Sequence, residues 1–281
     1  MEKKNNNGML VGLLIGIIIM LLVFIGLFAT GVINFKENIE NSKQEIKNEI
    51  DEDNTKEKTE NQESEYQIEY EEEEYITKRK DGTEVSKSIR NLPKITNNKN
   101  QEAADKITKY LTEISNKEWE NDIKKMADQV TELPYDGLGV KYLFATGVVT
   151  NNRLTFLLNM NGTFGGVTWL SNEGFNFDAK TGEILTTDTI AENKEKLKQY
   201  MMGKTTEKIE ELKASGDSCM NDNYKEKLEE EINRSGNWCF TASGVIIKLQ
   251  KYSVACGAAG IIEINLPKEE INQYLKDNYK I

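Results

Sequence analysis

The sequence predicts an α+β protein in which antiparallel sheets with packed helices form two small units behind one N-terminal transmembrane helix. Three features predict this arrangement. An uncharged run of 26 residues lies near the N-terminus, stretches of alternating apolar and polar residues are separated by turn residues, and apolar residues recur at helical spacing between them. Strands and helices that come in blocks are typical of the α+β class.

Residues 8–33 carry no charged side chain. About 20 apolar residues span a bilayer core, so this run predicts an uncleaved transmembrane anchor. A cleaved signal peptide is the alternative, but its apolar core is usually about 7–15 residues long. Lys3 and Lys4 precede the run. Because basic residues before a membrane helix tend to stay in the cytosol, residues 1–7 are predicted to be a cytosolic tail. The chain would then be a single-pass protein of the cell membrane, with its C-terminal domain outside.

Gly8, Gly12 and Gly16 recur every four residues on one face of this helix. Small residues at that spacing let two membrane helices pack closely, so a homodimer contact is one interpretation. The other interpretation is that glycine is simply common in membrane helices.

Residues 34–65 are rich in Glu, Lys, Asn and Gln and poor in apolar residues, so we expect an acidic, disordered tether. The whole chain has 36 Lys and Arg against 47 Asp and Glu, a net charge of −11. Residues 34–75 alone hold 16 acidic residues and 5 lysines, so the remainder is balanced. A balanced surface does not attract phosphates, and nucleic acid is therefore not an expected partner.

The first folded unit is predicted over residues 66–174. It begins with a strand of alternating apolar and polar residues, and a Lys-Asp-Gly-Thr turn follows. Apolar residues at helical spacing predict two helices, and an Asn-Asn turn joins two of the three antiparallel strands that come next. In order, the predicted helices and strands cover residues 100–112, 119–130, 141–150, 153–160 and 166–170.

The second unit is predicted over residues 175–281. A strand and an Asp-x-x-Thr-Gly turn open it, and a pair of long polar helices follows. Three strands and a short closing helix complete it. The predicted helices and strands after the turn cover residues 188–214, 224–233, 237–241, 245–249, 261–266 and 268–275.

The composition excludes several kinds of chemistry. The chain has no histidine, which removes Ser-His-Asp and Cys-His catalysis and histidine-ligated zinc. Three cysteines are too few for a thiolate zinc site, and neither of the common glycine-rich phosphate loops occurs. We therefore expect no catalytic residue, no metal site and no cofactor.

Three cysteines, Cys219, Cys239 and Cys256, lie near the C-terminus. In a domain outside the membrane we expect one disulfide and one thiol. Cys219–Cys239 is the preferred pair because it closes a short loop over a helix. Cys239–Cys256 and the absence of any disulfide are the alternatives.

A carboxylate turn occurs at 178–182. Asp178 is expected to accept hydrogen bonds from backbone N–H groups of the turn, with Thr181 and Gly182 completing it. The alternative is an acid–base pair formed by two of the three carboxylates Asp178, Glu183 and Asp188, which requires a carboxyl group with a raised pKa in a cleft.

Aromatic residues provide the candidate binding surface. Trp169 follows the pair Gly165-Gly166 at the start of a strand, and Tyr252 lies between two later strands. Exposed aromatic rings stack on sugars, whereas aromatic residues at strand spacing more often belong to a core. The candidate ligand-binding residues are Trp169, Gly165, Gly166 and Tyr252.

Three stretches resemble the extracellular domain pair of RsiV-type anti-sigma factors, a domain of unknown function that PdaC-type peptidoglycan deacetylases also carry. The first is a Pro-x-Ile that leads into a helix at 93–107, and the second is the Asp-x-x-Thr-Gly turn within 176–190. The third is a Phe, a Gly turn, a Tyr and an Ala-Gly strand entry at 239–267. The likeness covers about residues 66–278 and implies a module that faces the cell envelope.

Three departures restrict what the resemblance implies. Residues 165–168 lack the histidine that the family often carries, and only residues 1–7 stand where anti-sigma members have a sigma-binding segment. Deacetylase members add a separate catalytic domain, and we expect none after Ile281. We therefore expect neither named activity, but a module similar to those that bind lysozyme or assist cell-wall enzymes.

The sequence thus predicts a membrane-anchored, extracellular, non-catalytic module that binds or senses lysozyme or peptidoglycan. One alternative is a cell-wall hydrolase or deacetylase that works through carboxylates. Another is a signalling protein regulated by proteolysis in the tether.

Overall fold

The structure is a computed structural model that describes residues 65–134, 137–164, 166–216, 219–221 and 223–281. The predicted tail, anchor and tether, together with the glycines Gly8, Gly12 and Gly16, lie outside the described residues. Within the described part, no helix is long and apolar enough to cross a membrane. The described residues belong to one compact unit.

A five-stranded sheet forms the first half of this unit. Its order is β1-β2-β3-β4-β5, and neighbours are antiparallel except for β2 and β3, which run parallel where Ile89 pairs with Lys141. The expectation of purely antiparallel sheets is wrong at this one pair, because a helical crossover returns the chain to the end where β2 began. The strands are β1 (Tyr66–Lys78), β2 (Glu84–Asn97), β3 (Gly139–Val149), β4 (Arg153–Phe164) and β5 (Val167–Asp178).

A helical layer covers one face of this sheet. Asn100 caps α1 (Gln101–Glu118) by accepting a hydrogen bond from the Ala103 N–H. A π-helical turn (Trp119–Ile123) and α2 (Lys124–Gln129) continue the layer. The first core lies between this layer and the sheet and includes the buried side chains of Ile107, Leu111, Trp119, Tyr142, Phe156, Leu158, Phe175 and Phe177.

The alternating stretch that predicts the first strand covers residues 66–70, and β1 extends well beyond it, through a run of four glutamates. Cross-strand ion pairs hold that run to β2: Glu73 with Arg90, Glu74 with Lys87, and Glu71 with Lys94. Opposite charges that face each other across an antiparallel pair favour strand pairing. The four glutamates therefore lie within the β1–β2 hairpin.

A three-stranded antiparallel sheet with helices forms the second half, in the order β6-β7-β8. Its core contains Trp238, Phe240 and Ile247 and is separate from the first core. The elements are α3 (Thr187–Ile190), α4 (Lys194–Ser215), α5 (Tyr224–Asn233), β6 (Trp238–Thr241), β7 (Gly244–Leu249), β8 (Ile262–Pro267) and α6 (Lys268–Ile271). The described residues thus confirm a mixture of helices and antiparallel sheets.

The change from one core to the other falls after Ala179, which still belongs to the first core, whereas Leu185 belongs to the second. The predicted boundary at 174/175 lies inside β5, because this strand continues to Asp178. That the two halves are separate units in solution stays a prediction.

The two sheets meet along β5 and β6. The Gly174 N–H donates to the Gly236 carbonyl at 2.8 Å, and the Asn176 side chain donates to the Trp238 carbonyl at 2.9 Å. A Cβ atom at Gly174 would lie 2.3 Å from Cβ of Cys239, so this close approach requires glycine. We call this line of contact the seam.

Candidate functional site

A disulfide joins Cys219, which follows α4, to Cys256 in the loop between β7 and β8, with 5.5 Å between the Cα atoms. The predicted pair Cys219–Cys239 is therefore wrong, as is the alternative Cys239–Cys256. The Cys256 N–H donates to the Cys219 carbonyl, which sets these two residues opposite each other. Cys239 instead lies buried on β6 against Gly174, and burial raises the pKa of its thiol.

Tyr252 projects from the loop between β7 and β8, which the disulfide attaches to Cys219. Its side chain is 65% exposed, and its φ of 69° is the only positive value at a non-glycine position among the described residues. The ring lies on Gly257, where a Cβ atom would stand 2.5 Å from the hydroxyl oxygen. Lys251 Nζ lies 4.9 Å from the ring centroid. The fold thus holds an exposed aromatic ring in an unfavourable backbone conformation.

Trp169 lies near the start of β5. Its side chain is half-buried against the first core, and its indole N–H has no hydrogen-bond partner within the described part of the chain. Gly166 has a φ of 91° in the turn before the strand, whereas Gly165 lies outside the described residues. Leu170, on the opposite face of β5, is 38% exposed.

Hydrogen bonds place the Tyr252 loop beside this end of β5. The Asn172 N–H donates to Gln250 Oε1 at 3.2 Å, and Gln250 Nε2 donates to the Asn172 carbonyl at 2.9 Å. Leu170 precedes Asn172 by two residues and Tyr252 follows Gln250 by two, so both lie towards the same end of the seam. We call Leu170 and Tyr252 the rim. Of the predicted ligand-binding aromatic residues, Tyr252 therefore lies at the rim, whereas Trp169 is half-buried on the opposite face of β5.

A buried polar cluster lies behind the rim. Tyr142 pairs with Met160 across β3 and β4, and Met160 pairs with Ser171 on β5, so Tyr142 and Ser171 share one face of the sheet. Trp169 and Glu173, two residues to either side of Ser171, share that face as well. Glu118, the last residue of α1, approaches the cluster from the helical layer.

Glu118 has the largest shift of any carboxyl group in the described part of the chain. Burial, followed by the negative charges of Glu173 and Asp122, raises its pKa to about 7, although Arg234 and Lys117 oppose the shift. Burial and the charges of Glu118 and Glu173 also raise the pKa of Tyr142.

No sequence pattern points to Glu118, because a glutamate at the end of a polar helix is ordinary. Its neighbours are supplied by β3 and β5. Only the pairing of both strands with β4, which lies between them, could have indicated the cluster.

The carboxylate turn has the opposite electrostatics. Asp178 Oδ1 accepts hydrogen bonds from the N–H groups of Lys180 (2.8 Å) and Thr181 (2.9 Å), and Oδ2 accepts one from the Tyr279 hydroxyl (2.7 Å). Burial favours a higher pKa, but these bonds outweigh it and lower the pKa of Asp178. Gly182 completes the turn with a φ of 72°.

The shift at Asp178 is opposite in direction to the one that the alternative acid–base pair requires. The other two candidate members of that pair, Glu183 and Asp188, have exposed side chains. Among the described residues, no three His, Cys, Asp or Glu side chains lie close enough together to hold a metal ion.

Comparison with known proteins identifies one family in part of the chain. Residues 183–269 match DUF3298, a protein family of unknown function. The DUF3298 segment contains most of the second core, the disulfide and Tyr252. No curated protein matches the chain.

Two crystal structures of DUF3298 proteins resemble the described fold. One, from Bacteroides fragilis NCTC 9343, has 14% sequence identity and a TM-score of 0.53, and the match covers 76% of this chain and 95% of that one. The other, from Pseudomonas aeruginosa PAO1, has 14% identity and a TM-score of 0.49 over 75% of this chain and 95% of that one. The first likeness shows a shared fold.

Proposed function

We propose that this chain is a membrane-anchored, extracellular, non-catalytic module that binds a cell-envelope ligand at the rim. The observation that carries the proposal is Tyr252, an exposed aromatic residue at a positive φ. It lies in the loop between β7 and β8, which the disulfide attaches to Cys219. Backbone strain of this kind costs of order 1–3 kcal/mol and is found mainly at functional sites. A rigid tyrosine provides a large contact area with little loss of side-chain entropy on binding.

The proposed location has two supports. The uncharged run at 8–33 is long enough to anchor the chain, and the disulfide Cys219–Cys256 suits an oxidising environment outside the cytosol. The resemblance to RsiV-type and PdaC-type proteins favours lysozyme or peptidoglycan as the ligand.

Each ligand has a physical rationale. Sugar rings of a peptidoglycan strand stack on exposed aromatic residues such as Tyr252. A protein ligand such as lysozyme would use the same tyrosine as a central contact, because interface energy is concentrated in a few aromatic and arginine side chains. Both ligands therefore predict that binding depends on Tyr252.

The test is a titration of the compact fragment from Gln62 to Ile281 with lysozyme and, separately, with soluble peptidoglycan fragments. Each titration is repeated at about 0.5 M salt, which screens non-specific attraction between charged surfaces. We expect saturable, salt-resistant binding of one ligand, with an affinity that Tyr252→Ala lowers by about tenfold or more. Because the module is proposed to be non-catalytic, we expect it to release no reducing sugar ends from the peptidoglycan fragments.

Tyr70→Ala is the matched control, because Tyr70 is also exposed but lies on β1. It should leave the affinity unchanged. The proposal fails if neither ligand binds saturably, or if both variants weaken binding equally.

A further inference from the structure

The five-stranded sheet has one face covered by helices and another that is covered only at one end. At that end β6 packs on the sheet, and the Thr155 hydroxyl donates to Asn176 Oδ1 at 3.0 Å between two buried side chains. At the other end, side chains of β3, β4 and β5 that face away from the helices are exposed or half-buried. We call six of them the open face: Lys141, Asn161 and Leu170 in one cross-strand row, and Leu143, Asn159 and Asn172 in the next.

Carboxamide side chains beside this face bind peptide groups through both of their polar atoms. Gln250 accepts from the Asn172 N–H at 3.2 Å and donates to the Asn172 carbonyl at 2.9 Å. Asn91 accepts from the Phe144 N–H at 2.5 Å and donates to the Phe144 carbonyl at 2.9 Å. The two groups are complementary, because a carboxamide has an acceptor oxygen and a donor NH₂ and a secondary amide has one donor and one acceptor.

Asn159 and Asn161 are carboxamides on the open face that have no such partner among the described residues. Both side chains are exposed. They lie two residues apart on β4, so they project from the same side of the sheet about 7 Å apart. The open face therefore offers two amide groups, at a fixed spacing, to a ligand that carries secondary amides of its own.

The charge and the size of the open face restrict what can bind there. Lys141 is the one charged residue of the six, whereas 30% of the residues in the chain are charged. Three strands about 4.8 Å apart and about 20 Å of strand length give an area of roughly 300 Å². A stable protein interface takes about 800 Å² from each partner. An uncharged ligand smaller than a protein therefore fits this face better than a second copy of the chain does.

Tyr252 lies beside the open face and favours a saccharide over a peptide. Gln250 attaches the loop that carries Tyr252 to Asn172, which belongs to the face. The ring is 65% exposed and provides a rigid apolar surface. The apolar faces of pyranose rings stack on such a surface, and Leu143 and Leu170 add apolar area next to the two amides.

We propose that the open face, together with Tyr252, binds an uncharged N-acetylated saccharide chain, whose acetamido groups pair with the carboxamides of Asn159 and Asn161. This inference rests on the proposed function and deepens it, since it selects a saccharide and not a protein as the ligand at the rim.

The test is calorimetric titration of the full-length chain in a polyoxyethylene detergent, which contains no sugar. The probes are tetra-N-acetylchitotetraose and cellotetraose, which has hydroxyl groups in place of the acetamido groups. We expect saturable binding of the first probe that about 0.5 M salt leaves unchanged. Cellotetraose should bind about tenfold more weakly, because it leaves both carboxamides without their amide partners.

The double variant Asn159→Ala/Asn161→Ala should bind tetra-N-acetylchitotetraose about tenfold more weakly and cellotetraose as before, so that the preference for acetamido groups is lost. A purely structural defect would weaken both probes equally. Asn121→Ala is the matched control, since Asn121 is exposed in the π-helical turn on the other side of the sheet. It should bind both probes as the unaltered chain does, and thermal unfolding should be the same for both variants.

Three results would overturn the inference: no binding of tetra-N-acetylchitotetraose, equal binding of both probes, or tighter binding of the uncharged peptide N-acetyl-tetraglycine amide. A parallel titration with lysozyme separates these results from failure of the proposed function. Lysozyme binding that depends on Tyr252, without saccharide binding, overturns this inference alone. Absence of binding by lysozyme, peptidoglycan fragments and both saccharides overturns the proposed function as well.

Discussion

Asp178 and Glu118 are both carboxylates at the end of a secondary-structure element, yet their surroundings affect them in opposite ways. Asp178 accepts three hydrogen bonds, and its pKa is lowered. Glu118 is half-buried, the negative charges of Glu173 and Asp122 act on it, and its pKa is raised to about 7. Burial acts in the same direction at both sites. The difference comes from their neighbours: hydrogen-bond donors lower the pKa of Asp178, whereas the negative charges of Glu173 and Asp122 add to burial in raising the pKa of Glu118.

The two sites also differ in what they do for the fold. The Asp178 carboxylate organises a local turn and holds Tyr279 near the C-terminus. The Glu118 carboxyl, in contrast, is disfavoured in its charged form by burial and by the negative charges of Glu173 and Asp122. Stability is therefore expected to decrease when Asp178 is neutralised and to increase when Glu118 is neutralised.

The largest expected effect is at Asp178. Asp178→Ala removes the acceptor for two backbone N–H groups and the Tyr279 hydroxyl, so it should lower the free energy of unfolding by about 2 kcal/mol at pH 7. Because the pKa of Asp178 is lowered by folding, its contribution is present above its ordinary pKa and is lost as the pH falls through the folded-state value. Urea unfolding at pH 7 and at pH 3 measures both effects.

Glu183→Ala, five residues along the same turn segment, provides the control. The Glu183 side chain is 70% exposed and forms only a surface ion pair at 3.7 Å, so its loss should cost less than about 0.5 kcal/mol. Equal losses for both variants would contradict the account of the turn.

A smaller effect of opposite sign is expected at Glu118. Folding raises its pKa, so stability is greatest below the ordinary pKa and falls as the pH rises towards 7. A shift of this size corresponds to about 3 kcal/mol, and solvent screening at a half-buried group reduces the expected gain in Glu118→Gln at pH 8 to about 1–2 kcal/mol. At pH 4 the gain should disappear. Destabilisation by Glu118→Gln at pH 8 would show that the carboxylate is favourably paired.

The smallest expected changes in stability come from removing two tyrosine hydroxyls, those of Tyr279 and Tyr142. Tyr279→Phe removes the hydrogen bond to Asp178 and should cost about 1 kcal/mol. Tyr142→Phe removes a buried hydroxyl without a well-formed bond among the described residues, so it should change stability by less than about 0.5 kcal/mol or increase it slightly. Thermal unfolding of both variants at pH 7 makes the comparison. A larger loss for Tyr142→Phe would indicate that its hydroxyl is bonded in solution.

Local patterns in the sequence predict local structure well. The Asp-x-x-Thr-Gly turn, the helix that begins after Asn100 and the three strands of the second sheet follow from neighbouring residues, and all are present. The parallel pair β2–β3 was not predicted. The two strands are separated in sequence by the whole helical layer, and no local pattern indicates in which direction the chain returns to the sheet.

The candidate site depends on contacts between distant residues, and here sequence analysis was less successful. Trp169 and Tyr252 were both selected as aromatic candidates, but nothing in the sequence indicated that the pairing of Asn172 with Gln250 brings their segments together. The preferred disulfide was wrong because loop length favoured Cys239, whereas a backbone contact between Cys219 and Cys256 decides the pairing.

The most direct test of the binding proposal is a hydrogen-exchange footprint of the full-length chain with and without its ligand, lysozyme or a peptidoglycan fragment. The account predicts slower exchange at residues 166–172 and 250–257, which form the rim and its supporting loop, and no change at the 178–182 turn. Protection confined to β1 or to the turn, with the rim unaffected, would contradict it.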